Sequence, residues 1–109
     1  PTAANQELIR RMSEIVDGAV PVDSLLNWED LYRTIDYIYD DYYTYLKSQY
    51  SELLNEKEIQ LCCLLRANFS TKEISIVSQQ SVRTVYQRKS VIRQKLGMEE
   101  KGDIVEFLV

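Results

Sequence analysis

The chain has 109 residues, with 45% apolar and 28% charged side chains and a formal net charge of −4 at pH 7. This length fits one small domain, or a compact head that carries a helical extension. No apolar run approaches the roughly 20 residues that span a bilayer, and the N-terminus lacks the basic and apolar layout of a secretory signal, so neither a membrane protein nor a secreted one is expected.

Glycine and proline are scarce, with three and two residues. Apolar and polar residues do not alternate over any long stretch, so the pattern does not predict β-strands. We therefore predict an all-α fold, with a helical extension over residues 1–50 and a head over residues 51–109.

Side chains that carry chemistry are few. The sequence has no histidine, no glycine-rich phosphate loop and no nucleophile with an evident base beside it, so we expect no enzyme, no small-molecule substrate and no cofactor. Asp36, Asp40 and Asp41 lack the glycine-bearing loop of a calcium motif, and we expect no metal there. Cys62 and Cys63 are adjacent, which disfavours a disulfide, so a reducing, cytoplasmic location is predicted.

Two helical segments are predicted before the head. Residues 5–16 have apolar side chains at helical spacing and predict an amphipathic helix, which a connector over residues 19–27 follows. Residues 28–50 hold seven of the eight tyrosines, and we expect a break near Asp40, with Asp40 as a helix cap. One stripe at helical spacing in this segment comprises Trp28, Leu31, Ile35, Ile38, Tyr42 and Leu46.

The aromatic stripe has two interpretations. The favoured one is packing against the head, and the other is a dimer or regulatory surface, for which Tyr42 and Leu46 are the candidate interface residues. Because the N-terminal half is acidic and would repel phosphate, we expect residues 5–50 to pack away from any nucleic acid.

The head opens with a helix whose start is marked by a capping box. Asn55 can cap the amide of Glu58 while Glu58 reaches back to the amide of Asn55, which predicts a helix over residues 56–67. Asn68 follows, and asparagine tolerates the left-handed backbone of a sharp turn.

Residues 70–97 predict two helices joined by a tight turn at residues 78–81. Ser70 and Glu73 form a second capping box, and Ser81 is the N-cap of a helix from Val82 to Leu96 that Gly97 ends. One face of this helix carries Val85, Ile92 and Leu96, and the opposite face carries Arg83, Gln87, Ser90 and Gln94. The first face is predicted to pack, which leaves the second for recognition.

A last short helix is predicted after Gly97, with Glu100 or Asp103 near its start. Its apolar residues must cover the core or contact a second copy of the chain, and Ile104 and Leu108 are the candidate interface residues.

Charge is segregated along the chain. Residues 1–57 hold 5 basic and 11 acidic residues, and residues 58–109 hold 8 and 6. Between Arg66 and Lys95 there are seven basic residues and a single acid, Glu73. Such a cluster on a compact unit is typical of nucleic-acid binding, although a basic run taken alone is more often a solvated helix face.

Residues 54–105 resemble the LuxR/GerE-type helix-turn-helix of bacterial transcription regulators, aligned without a gap. The specific feature is the combination of Lys72-Glu73-Ile74, Thr84-Val85 and Lys95-Leu96-Gly97 at the family's spacing. Residues 27–75 also resemble a subgroup in which this head ends a long sensory or tetratricopeptide-repeat regulator. The sequence departs from the family at Asn68 (usually Gly), Ser78 and Gln80 (usually Leu and Ile) and Arg88 (often His).

The resemblance implies a four-helix head whose third helix enters the DNA major groove and whose fourth often forms the dimer contact. Tyr86, Gln87 and Ser90 match base-facing positions of the family, while Lys72, Thr84, Arg88 and Arg93 match or flank positions that contact the DNA backbone. Arg83 joins this set because an arginine on the exposed face can pair with guanine. The implied partners are double-stranded DNA, a second copy of the chain on DNA, an upstream sensory region and RNA polymerase.

Two alternatives stay open at this point. One is a head similar to sigma-factor region four, which binds a promoter element only within RNA polymerase. The other is a protein-interaction module on a helix-turn-helix fold, which the sequence pI of about 4.8 and the tyrosine stripe favour.

Overall fold

The structure, a computed structural model, describes Arg10 and residues 28–108. Within these residues the chain forms helices and no strands, which confirms the all-α class. The helices over residues 28–108 are α1 (Trp28–Ile38), α2 (Tyr42–Tyr50), α3 (Glu56–Arg66), α4 (Thr71–Val77), α5 (Val82–Leu96) and α6 (Ile104–Phe107). None of them is both long and apolar enough to cross a membrane.

The predicted helix over residues 5–16 and the connector that follows lie outside the described residues, except that Arg10 is helical. The predicted division of the chain at residues 50 and 51 stays a prediction. Side chains from both sides of that boundary are buried in one core, as described below.

The expected break in the aromatic segment is present, but its cap differs from the prediction. Asp40 and Asp41 both adopt positive φ angles, of 54° and 59°, and α2 begins after Asp41, whose side chain makes no capping hydrogen bond. Asp36, from the last turns of α1, instead accepts from the backbone amide of Thr44 at 3.0 Å and from its hydroxyl at 2.6 Å. The prediction of Asp40 as the helix cap was therefore wrong. Because α1 and α2 fold back on each other, the carboxylate of Asp36 reaches the first turn of α2 instead.

The ends of α3, α4 and α5 follow the predicted capping chemistry. Both capping boxes, Asn55 with Glu58 and Ser70 with Glu73, are closed by reciprocal hydrogen bonds. Asn68 takes a left-handed backbone with φ of 68° at the turn that follows α3. The predicted helix over residues 56–67 ends one residue early, since Ala67 is its C-cap.

Side chains from α1 to α6 share one core. Leu31 and Ile35 of α1 and Leu46 of α2 lie in the same buried cluster as residues of the head. The other buried members are Tyr42, Leu54, Ile59, Leu61, Cys62, Cys63, Leu64, Ile74, Val77, Val85, Ile92, Ile104 and Leu108. The aromatic stripe therefore packs against the head, as its favoured interpretation predicted.

A polar cluster adds to this packing where α1 and α2 meet the start of α3. The carboxylate of Glu56 accepts from the hydroxyls of Tyr32 and Tyr43, each at 3.2 Å, and from Lys47 Nζ at 3.1 Å. The two tyrosine rings stack with centroids 3.8 Å apart. Burial, followed by the charge of Glu56, raises the pKa of Tyr43 to about 12, so at neutral pH the phenol remains a donor. Glu56 is thus a common acceptor for both helices of the extension.

Leu46 tests whether α1 and α2 fold together with the head. Leu46 is fully buried and Leu53 is 43% exposed, so Leu46→Ala should lower the free energy of unfolding by roughly 2–5 kcal/mol, whereas Leu53→Ala should change it by no more than about 0.5 kcal/mol. Urea unfolding is followed by far-UV circular dichroism and by the fluorescence of Trp28, the single tryptophan. Coincident transitions are expected. A Trp28 transition at lower urea than the loss of helicity would contradict a shared core.

Candidate nucleic-acid interface

The candidate interface is built around α5, whose orientation is set by the turn in front of it. Ser78 is the C-cap of α4, Gln79 has a positive φ of 57°, and Ser81 is the N-cap of α5. The hydroxyl of Ser81 accepts from the amide of Thr84 at 3.0 Å. Gly97 ends α5 with a left-handed backbone at φ of 69°, as predicted. The predicted two helices and turn are therefore present at the predicted residues.

The two faces of α5 are as predicted from the sequence. Val85 and Ile92 are fully buried, and Leu96 is half-buried against the core. Away from the buried face the exposed residues include Val91, which is apolar and 41% exposed, and the predicted set of Arg83, Tyr86, Gln87, Ser90 and Gln94. Tyr86 is 56% exposed, so its ring stands on the surface near the start of the helix. Lys72 lies exposed in the first turn of α4.

Two of the residues predicted to contact DNA, Thr84 and Arg88, are bonded to the turn in front of α5. Thr84 is half-buried, and its hydroxyl accepts from Ser81 Oγ at 2.9 Å. Arg88 is half-buried beside the turn, where Gln80, with its amide oxygen turned toward α5, accepts from Arg88 Nε at 2.9 Å and from Nη2 at 3.2 Å. The polar residue at position 80 thus gives Arg88 a partner within the chain.

Arg93 is held by the loop that follows α5. Its Nε donates to the carbonyl oxygen of Gly102 at 2.8 Å, and its side chain is half-buried. The sequence predicted Arg93 on the flank of the helix as a phosphate contact. In the structure the residue lies on that flank, and it also fixes the α5–α6 loop.

Not all of the seven basic residues counted between Arg66 and Lys95 are available at the surface. Lys95 Nζ donates to Glu58 Oε1 at 2.7 Å, and the side chain of Glu58 is only 4% exposed. The guanidinium of Arg66 lies 4.2 Å from the centre of the Tyr39 ring. These two cations serve packing inside the chain, because a long basic side chain seeks a buried carboxylate or an aromatic face.

The four residues predicted to form a dimer interface are buried in the chain's own core. Tyr42, Leu46, Ile104 and Leu108 are each at most 6% exposed. Side chains buried to this degree offer almost no surface to a second copy of the chain in this fold. Their apolar character indicated burial, but it did not indicate which chain would bury them.

Lys89 and Lys101 are two further cations at this surface, and no motif in the sequence marks them. The structure places both beside Arg93, in a groove between α5 and α6. Helical spacing pairs Lys89 with Arg93 in the sequence, but Lys101 joins them only through the fold of the α5–α6 loop.

Comparisons with protein-family models, with curated proteins and with solved structures find no match to this chain. The resemblance to LuxR-type heads therefore depends on the residues quoted above.

Lys95 provides a test of how firmly the end of α5 is attached. Lys95→Met removes the partner of a buried carboxylate and should cost roughly 1–3 kcal/mol of unfolding free energy. The cost stays below the roughly 3–5 kcal/mol of a fully buried pair because Lys95 is partly exposed. Lys57→Met is the matched control, since Lys57 is exposed and takes part in none of the ion pairs found within residues 28–108. Equal urea midpoints for the two variants would contradict this role of Lys95.

Proposed function

We propose that this chain is the sequence-specific DNA-binding output domain of a bacterial transcriptional regulator, with α5 inserted into the major groove. The observation that supports it most is the outward face of α5. The face is polar and exposed at its start, and α5 contains no acidic residue. It projects from a short helix and a tight turn, which is the arrangement that a helix-turn-helix uses.

The dimensions and chemistry of α5 suit this role. Its 15 residues span about 22 Å, and a B-DNA major groove about 12 Å wide admits one helix. Arg83 can donate two hydrogen bonds to guanine, and Gln87 can both donate to and accept from adenine. Lys72, in the first turn of α4, would contact backbone phosphate and so contribute affinity without sequence preference.

The remaining residues of the predicted contact set take different parts in the proposal. Tyr86 and Ser90 lie beside Gln87 on the exposed face and would contact base edges. Thr84 and Arg88 are hydrogen-bonded to the turn, so they would hold α5 in its orientation relative to α4. They would contact phosphate only at the periphery of the DNA interface.

A homodimer on DNA belongs to this proposal, because one inserted helix contacts few base pairs and useful specificity normally needs two half-sites. Ile104 and Leu108 face the core, so they are not available to a second copy of the chain. Phe107, on the outer side of α6, is 48% exposed and would make the apolar contact between the two copies. The proposal also places the protein in the cytoplasm, joined to an upstream sensory region, with RNA polymerase as a further partner.

Gln87 gives the direct test of the proposed function. The first step is selection of bound sequences from random duplex DNA by the whole chain. Gln87→Ala should then lose about 1–3 kcal/mol of binding free energy at the preferred base pair and relax the preference there, with little change on a scrambled duplex. The measurement is fluorescence anisotropy on both duplexes.

The matched control is Gln49→Ala, which changes an exposed glutamine on α2 and should leave both affinities unchanged. If selection enriched no sequence, or if Gln87→Ala behaved like Gln49→Ala, α5 would not recognise bases. The protein-interaction alternative would then be favoured.

A further inference from the structure

A groove of about 500 Å³ separates the second half of α5 from the α5–α6 loop and the end of α3. Phe69 and Leu65 contribute its apolar wall, and three cations contribute to its lining, namely Lys89, Arg93 and Lys101. Asp103 is the single carboxylate among the lining residues. The groove therefore carries a surplus of positive charge.

The cations are held close together despite their like charge. Lys89 and Arg93 are one helical turn apart, a spacing at which like charges destabilise a helix. Burial, followed by the charge of Arg93, lowers the pKa of Lys89. Within residues 28–108 Lys89 makes no ion pair, and its Nζ lies 5.7 Å from the centre of the Tyr86 ring. An anion in the groove would relieve this repulsion.

Arg93 and Asp103 are both held by hydrogen bonds within the chain, and Arg93 keeps donors for a ligand. Arg93 uses Nε to hold the Gly102 carbonyl, and the remaining donors of its guanidinium are on its two Nη atoms. Asp103 uses its carboxylate as the N-cap of α6, accepting from the amide of Glu106 at 3.2 Å. Asp103 keeps its negative charge in this cap and attracts Lys89. It offsets one of the three cations, so the groove keeps a surplus of positive charge for a ligand.

The position of the groove indicates which anion it suits. On the helical wheel of α5, residues 89 and 93 lie between the buried face of Val85 and Ile92 and the exposed face of Arg83 and Gln87. If the exposed face enters a major groove, this flank lies against the groove wall, which consists of phosphate.

We propose that the groove formed by Lys89, Arg93 and Lys101 binds a phosphate group, and that its source is the backbone of the bound DNA. The assignment of the source rests on the proposed function. The ammonium groups act as point charges, and the Nη donors of Arg93 give a directional contact. Phosphate binding here would fix the position of α5 along the duplex. It would also bring the α5–α6 loop into contact with the DNA backbone.

The test uses the whole chain with Lys89→Gln and Lys101→Gln, singly and together. Arg93 is left intact because its loss would also release Gly102. Lys57→Gln is the matched control, an exposed lysine near the opposite end of α3. Affinity for the selected duplex and for a scrambled duplex is measured across a salt series. The double variant should weaken both duplexes alike and reduce the slope of log K against log salt by about one, which corresponds to one lost phosphate contact. Each single variant should reduce the slope by less, and the control should leave it unchanged.

A second measurement detects phosphate binding without DNA. Inorganic phosphate is titrated into the isotope-labelled chain at constant ionic strength, and amide chemical shifts are recorded. The amides of Gly102 and Asp103 should shift saturably in the unchanged chain and not in the double variant. Saturable shifts with unchanged DNA salt slopes would overturn the backbone as the source and indicate a free phosphate compound.

The two measurements separate the phosphate site from DNA recognition by α5. If Gln87 discriminates bases while the groove variants match Lys57→Gln in both measurements, the phosphate site is overturned and DNA recognition stands. If the chain binds no DNA but inorganic phosphate saturates the groove, the phosphate site is supported and DNA recognition fails.

Discussion

The position of the last turn of α5 depends on one buried carboxylate, that of Glu58. Its Oε1 accepts from the Asn55 amide at 2.8 Å, which closes the start of α3, and from Lys95 Nζ at 2.7 Å, which holds the last turn of α5. A buried carboxylate is costly unless it is paired and hydrogen-bonded, so the start of α3 and the end of α5 are constrained to stay together. The other end of α5 is set by the Ser81 cap, and the helix is therefore fixed at both ends.

Glu56, two residues before Glu58, performs the corresponding task on the outer side of α3. It gathers Tyr32, Tyr43 and Lys47, and so it attaches α1 and α2 to the same turn that holds α5. The first turn of α3 thus connects the extension with the proposed DNA-contacting helix through hydrogen bonds. A displacement of α1 and α2 would therefore reach α5 through this turn.

The sequence predicted features of the fold that are decided locally. The capping boxes, the turn at residues 78–81 and the left-handed residues Asn68 and Gly97 depend on chemistry within a few positions, and each lies where it was predicted. Long-range partners were not predictable, because a lysine or arginine carries no sign of which acceptor the fold will bring near. Lys95 is 37 residues from Glu58, and Arg93 holds a carbonyl group in a loop. For the same reason the apolar character of Ile104 and Leu108 indicated burial but not whether one chain or two would bury them.

The central claim, that the outward face of α5 is the surface that contacts DNA, is tested most directly by mapping amide chemical shifts of the whole chain bound to its selected duplex. We expect the largest changes over residues 82–90 and at the start of α4, with smaller changes along the α5–α6 loop. The amides of α1 and α2 should be little affected, since these helices carry acidic surface. Largest changes in α1 and α2, with residues 82–90 unaffected, would contradict the account.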